Sequence, residues 1–188
     1  MSMLPHPVRY TYEEYLRVEQ DSNIRHEYLE GQIYAMSGGT PEHSGLFTAV
    51  ATIFNNQIRK RCSTMTSDVR VRTTSGLTTY PDVVVVCGPS ERDTTDRHAI
   101  TNPTLLVEVL SRSTEAYDRG VKFEHYKSIK TLQQYVLVSQ NEPLVEVWTR
   151  GNDNQWTFSV YRDGDTAPLS SVNGHLDVRK LYELGTIK

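Results

Sequence analysis

The chain has 188 residues, of which 23% are charged and 37% apolar, and its formal net charge is −3. That length suits one domain, 1–188, with a sizeable core, and the composition excludes a disordered or low-complexity chain. The acidic balance argues against tight nonspecific binding to nucleic acid, which draws on a basic surplus; a local patch or a bound metal has to carry any such contact.

Tyr10 to Tyr15 opens the first predicted helix. Thr11 stands as N-cap and Glu14 completes a capping box, with Tyr10 and Tyr15 at the staple positions. The helix is expected to reach Gln20. Arg25–Met36 reads as two short strands turning at Glu30–Gly31, with Tyr28, Ile33 and Tyr34 facing the core. Glu27, taken alone, reads as an ordinary solvated hairpin acid.

Ser37–Gly39 is a break, and a second helix restarts with Thr40 as N-cap and Pro41 at its first position. Leu46, Phe47, Val50, Ile53, Phe54 and Ile58 recur at helical spacing and mark the face that packs on a sheet. His43, one turn ahead of Phe47, reads as a hydrogen-bonded residue at the edge of that face. Arg59–Arg61 closes the helix, where cations suit the dipole. Asp68–Arg72 alternates as a strand, valines inward, and its Arg70 and Arg72 form the nearest thing to a basic strip.

Tyr80–Cys87 and Thr104–Ser111 are apolar runs without alternation, bounded by Pro, Gly or Ser. They read as strands covered on both faces. Between them, Gly88–Pro103 is expected to be a long polar loop, a length that accompanies function or mobility. Cys62, at a helix end, and Cys87, in a buried strand, lack CxxC spacing and are expected as reduced thiols of a cytoplasmic protein. Met1–Arg9 lacks the apolar core of a signal peptide, and no run is long enough to cross a membrane.

A third helix is expected from Ser113 to Ile129. On it Asp118, Lys122 and Tyr126 recur every four residues as one polar stripe, which by itself amounts to an exposed ion pair of little weight. Gln134–Val138, Leu144–Trp148 and Trp156–Tyr161 read as strands, the last two joined by a turn at Gly151–Asn154. Trp156, Phe158 and Val160 are placed on a buried face, and Trp148 is the exposed aromatic that offers an interface. A short helix from Asp177 turns Val178, Leu181 and Leu184 inward.

Each buried run carries one carboxylate, Asp82 and Glu108. An ionised acid there is costly unless it is paired, hydrogen-bonded or metal-bound. Two on adjacent strands form an anionic site suited to Mg²⁺ or Mn²⁺, whereas either one alone reads rather as an acid paired with an arginine, or as an edge-strand acid facing solvent.

In order and spacing, Glu27–Gly31, His43, Pro81–Asp82–Val83, Val107–Ser111 and Asp118 with Lys122 and Tyr126 resemble the Uma-type restriction endonucleases of the PD-(D/E)XK superfamily. The resemblance covers nearly the whole chain. It implies a restriction-endonuclease-like α/β (α+β) fold, a central mixed sheet flanked by helices. It also implies a Mg²⁺ (or Mn²⁺) site on Asp82 and Glu108, joined by Glu27, with Lys122 as the catalytic cation. His43, Asp118 and Tyr126 would support these four from behind. The lysine that stricter relatives place two residues after the second acid is Leu110 here, so Lys122 would act from the following helix.

The implied activity is metal-assisted hydrolysis of DNA phosphodiester bonds, with DNA a transient substrate and a homodimer an option. A catalytically silent binding module on the same fold is the alternative, and a hydrolase of another phosphoester uses the same residues.

Overall fold

The computed structural model describes residues 8–185, so most of the Met1–Arg9 stretch lies outside the described residues. Helix α1 spans Tyr12–Asp21, capped by Thr11 in the expected capping box with Glu14. Strands β1 (His26–Leu29) and β2 (Gln32–Ala35) form the N-terminal hairpin. Its tight turn holds Glu30 at φ 50° and Gly31 at φ 84°, a left-handed pair that glycine adopts without strain. Tyr34, expected inward, is exposed, because this strand is the outer edge of its sheet.

Helix α2 runs Pro41–Ile58 from the Thr40 cap. The chain then forms β3 (Cys62–Thr66), β4 (Arg70–Arg72), β5 (Thr78–Thr79), β6 (Val83–Cys87), β7 (Ala99–Ile100) and β8 (Leu105–Leu110). Next comes a helical run in three parts: α3 (Glu115–Tyr117), a π turn (Asp118–Lys122) and α4 (Phe123–Lys127). Strands β9 (Gln134–Ser139), β10 (Leu144–Arg150) and β11 (Trp156–Arg162) follow, then the small hairpin of β12 (Thr166–Leu169) and β13 (Gly174–Asp177), and helix α5 (Val178–Gly185).

Two larger sheets result. One has the order β2-β1-β5-β4-β7; the other is six-stranded, β11-β10-β9-β8-β6-β3. In the second, β8 and β9 are parallel and the other neighbours antiparallel, so the expected mixed α+β sheet is what forms. Its non-alternating strands are covered on both sides. Val83, Val85, Val107 and Val109 pack with α2, α5 and the small hairpin; Val84, Val86, Leu106 and Leu110 pack with Phe123, Tyr126 and Ile129 of the helical run. Among the described residues no helix is long and apolar enough to cross a membrane.

Several expectations need correction. Cys62 opens β3 rather than ending a helix, and antiparallel pairing sets it directly opposite Cys87, to which it is joined by a disulfide. The two thiols are therefore not free. Gly88–Pro103 is no open loop. It contains β7, a bridge from Arg92 to Ile100, and the buried Asp96, whose carboxylate grips the Arg70 guanidinium at 2.7 Å. Arg72 is likewise held by Asp93 at 2.8 Å, so the basic strip is spent on internal ion pairs.

Strand β11 is an edge with Phe158 and Val160 exposed, while Trp148 tucks between Phe123 and Phe158. Alternation correctly gave the shared face; the edge position leaves that face uncovered. Leu184, expected inward, is exposed on the last turn of α5.

Candidate active site

Pairing between β6 and β8 brings the two strand acids together. The β6–β8 ladder ends with Val83 opposite Val107, and Asp82 is the next residue beyond it, close enough to Glu108 for its charge to act on that carboxyl. Asp82 sits just before β6, where the backbone ladder has ended, and its Oδ2 accepts the Val109 N–H at 2.7 Å. The same oxygen lies 3.2 Å from His43 Nε2. His43 reaches it from the first turn of α2, where its N–H donates to the Thr40 cap.

Glu108 lies in mid-strand and is buried. Tyr126 donates its hydroxyl to Oε1 at 2.7 Å, and Lys122 Nζ stands 2.9 Å from the same atom. Lys122 is also 3.3 Å from Glu27 Oε1 and 3.4 Å from Asp118 Oδ1. Glu27 comes from the other sheet and accepts from Thr79 of β5. The hairpin acid and the supposed surface pair Asp118–Lys122 are thus all buried, because the helical run lies over the junction of both sheets. The π turn forms the lysine-bearing part of that run, and such turns recur at functional sites.

One ammonium cannot neutralise Glu27, Asp82, Glu108 and Asp118. The excess shows at Glu108, whose carboxyl is pushed up to about 8, chiefly by burial, with Asp118 and Asp82 adding to it against the pull of Lys122. Asp118 is raised as well, again mainly by burial. For Lys122 burial disfavours the charge, but Glu108, Glu27 and Asp118 outweigh it and keep the ammonium charged. His43 behaves alike: desolvation lowers it, and the hydrogen bond and charge of Asp82 more than compensate. Burial and Glu108 hold the Tyr126 hydroxyl well above its usual range, so it remains a donor.

All seven residues singled out in the sequence are gathered here. Pattern reading missed Thr79, which fixes Glu27, and Tyr117, whose hydroxyl also bonds Glu27. Thr79 belongs to a two-residue strand with no periodicity of its own, and Tyr117 falls outside the four-residue stripe. Among the described residues no three His, Cys, Asp or Glu side chains stand in a metal-holding group. The donor chemistry nonetheless suits a hard cation: Asp82, just before β6, and Glu108, on β8, offer carboxylate oxygens, and Mg²⁺ takes one or two carboxylates while keeping waters.

Comparisons with known proteins bear on this arrangement. An uncharacterized protein of Synechocystis sp., slr1290, is 39% identical over 172 residues, covering 90% of both chains. A second from the same organism, sll1609, is 31% identical over 148 residues, covering 78% of this chain and 84% of its own. The crystal structure of a putative nuclease from Anabaena variabilis superposes with a TM-score of 0.75 at 18% identity, over 93% of this chain and 98% of the other. That likeness establishes a shared fold. A family model described as "putative restriction endonuclease" matches residues 12–178, the stretch that holds all seven residues of the site, and the chain therefore belongs to the Uma2 family.

Proposed function

We propose that the protein is a Mg²⁺- or Mn²⁺-dependent endonuclease that hydrolyses phosphodiester bonds of DNA. The observation that carries this reading is the buried Lys122 ammonium 2.9 Å from Glu108 and within 3.4 Å of Glu27 and Asp118, with Asp82 bonded to the Val109 N–H of the Glu108 strand. Buried carboxylates with a buried cation are costly as scaffold and are the parts that phosphodiester hydrolysis needs. A divalent ion held by Asp82 and Glu108 would polarise the phosphate and lower the pKa of bound water.

The chain's own residues have separable tasks. Glu27 completes the acidic wall and is fixed by Thr79. Lys122 orients the attacking water or meets the charge that develops on the phosphate. His43 and the Val109 N–H both hold Asp82 Oδ2, so the acid stays fixed at the strand end. Tyr126 does the same for Glu108.

Nicking of supercoiled plasmid tests this, since one copy suffices to cut one strand. Cleavage is expected with Mg²⁺ or Mn²⁺ and not with EDTA. Asp82→Ala and Lys122→Ala proteins with native circular dichroism should lose at least ~100-fold. Unchanged cleavage in either variant removes that residue from the mechanism. The silent-module alternative draws support from the net charge of −3 and from Leu110 standing where stricter relatives place the lysine; it predicts no calorimetric heat with Mn²⁺.

A further inference from the structure

An ammonium has three N–H donors and no acceptor. Three carboxylates surround Lys122, at 2.9 Å (Glu108), 3.3 Å (Glu27) and 3.4 Å (Asp118), and its side chain is 6% exposed. Every donor therefore has a protein acid within reach, and little surface is left for water or a phosphate oxygen. The three acids come from three different elements, β1, β8 and the π turn, so the single ammonium ties both sheets to the helical run. The same arrangement accounts for the lack of a three-donor metal group among the described residues: the acids converge on the lysine.

We propose that Lys122 is a built-in competitor for the divalent ion. In the metal-free protein its ammonium holds Glu108, one of the two acids that would ligate the ion, together with Glu27 and Asp118, and binding of the ion requires Lys122 to leave Glu108. This rests on the metal-dependent reading of the site. The exchange leaves no acid unpaired, because the ion takes the ammonium's place at Glu108 while Lys122 keeps Glu27 and Asp118. It also resolves a conflict within the site: a lysine with all its donors engaged cannot orient water, and withdrawal from Glu108 frees a donor.

Titration calorimetry with MnCl₂ on the wild-type protein and on Lys122→Met, at one pH and salt, tests the competition. Lys122→Met is expected to bind Mn²⁺ about tenfold more tightly or better. It should also melt below wild type in EDTA and gain more from Mn²⁺ than wild type does. Equal or weaker binding by Lys122→Met, while Asp82→Ala abolishes it, overturns the competition alone. No Mn²⁺ heat from either protein overturns the metal reading and the competition with it. Should Lys122→Met fail to fold, a wild-type crystal grown with Mn²⁺ decides: Nζ more than about 4 Å from Glu108 supports the exchange, and Nζ still bonded to Glu108 and Glu27 beside a bound ion overturns it.

Discussion

Tyr126 illustrates how single residues hold this site. Its ring is fully buried, and its hydroxyl gives Glu108 a 2.7 Å hydrogen bond that does not depend on any ion. Tyr126→Phe keeps the ring packing against Tyr135 and removes only that donor. A buried acid then loses one of its two partners, a change that costs about 1–3 kcal/mol. For a chain of this size that lowers the melting temperature by several degrees. Thermal melts followed by circular dichroism measure it, and an unchanged midpoint would show that the hydroxyl contributes nothing.

A second residue-scale case concerns closeness of backbones. Gly45 on α2 lies against the end of α5, and a Cβ added there meets the Gly185 carbonyl oxygen at 2.3 Å. The obstacle is backbone, so it cannot swing aside as a side chain would. Gly45→Ala should therefore destabilise by about 1–3 kcal/mol as α5 is pushed off α2. Denaturant midpoints compared with Ser44→Ala, on the same helix, isolate the effect. Equal midpoints would mean that the two helices separate freely.

At the scale of elements, the sequence was most informative where a single physical signal dominated. The capped starts of α1 and α2 follow from Thr11–Glu14 and Thr40–Pro41, and both are found as read. The unbroken apolar runs of β6 and β8 mark strands buried on both faces, and Glu108 lies on the Leu106 and Leu110 side, against Tyr126. Three misreadings share one cause, which is that tertiary position overrides local pattern. Alternation in Trp156–Tyr161 fixes which residues share a face, not whether anything covers it. The polar stripe on the third helix looks solvated by its spacing alone, and only its place directly beyond the Glu108 strand sets it over the acids. Short strands such as β5 and β7 carry no periodicity at all and exist through their neighbours.

The disulfide belongs to the same lesson, since strand β3 had to be seen before Cys62 could face Cys87. The bond closes a sequence separation of 25 residues, and a loop of that length corresponds to about 3 kcal/mol of stabilisation through the unfolded chain. Denatured, unreduced protein should accordingly show no thiol reactive with a colorimetric reagent. Cys62→Ser with Cys87→Ser should shift the denaturant midpoint down, and a dithiol should do the same to wild type. Two reactive thiols in protein purified without reductant would remove the cross-link from the fold.

Across the whole molecule, tyrosines mark the joints between layers. Eleven are present, and burial is the main cause that pushes the Tyr12, Tyr80 and Tyr182 phenols up to about 12. Tyr12 and Tyr80 join α1 to the sheet of β4 and β5 through Asp96, Glu19 and Arg70; Tyr182 ties α5 to Leu144. Tyr126 on the helical run and Tyr135 on β9 pack edge to face, and burial raises both well above their usual range. The direction of linkage follows directly. The unfolded phenol ionises near 10, so the folded state holds its proton more strongly than the unfolded one. That stability is complete below about pH 10 and is lost as the pH rises through about 12. Because the phenols are spread over both sheets, their ionisation should coincide with one cooperative loss of structure rather than precede it. Absorbance at the phenolate band and far-ultraviolet circular dichroism, recorded on one alkaline titration, should then share a midpoint for the buried fraction. Phenolate absorbance that reaches its full value while the circular dichroism stays native would mean that these rings are open to solvent and that the layers are joined by other contacts.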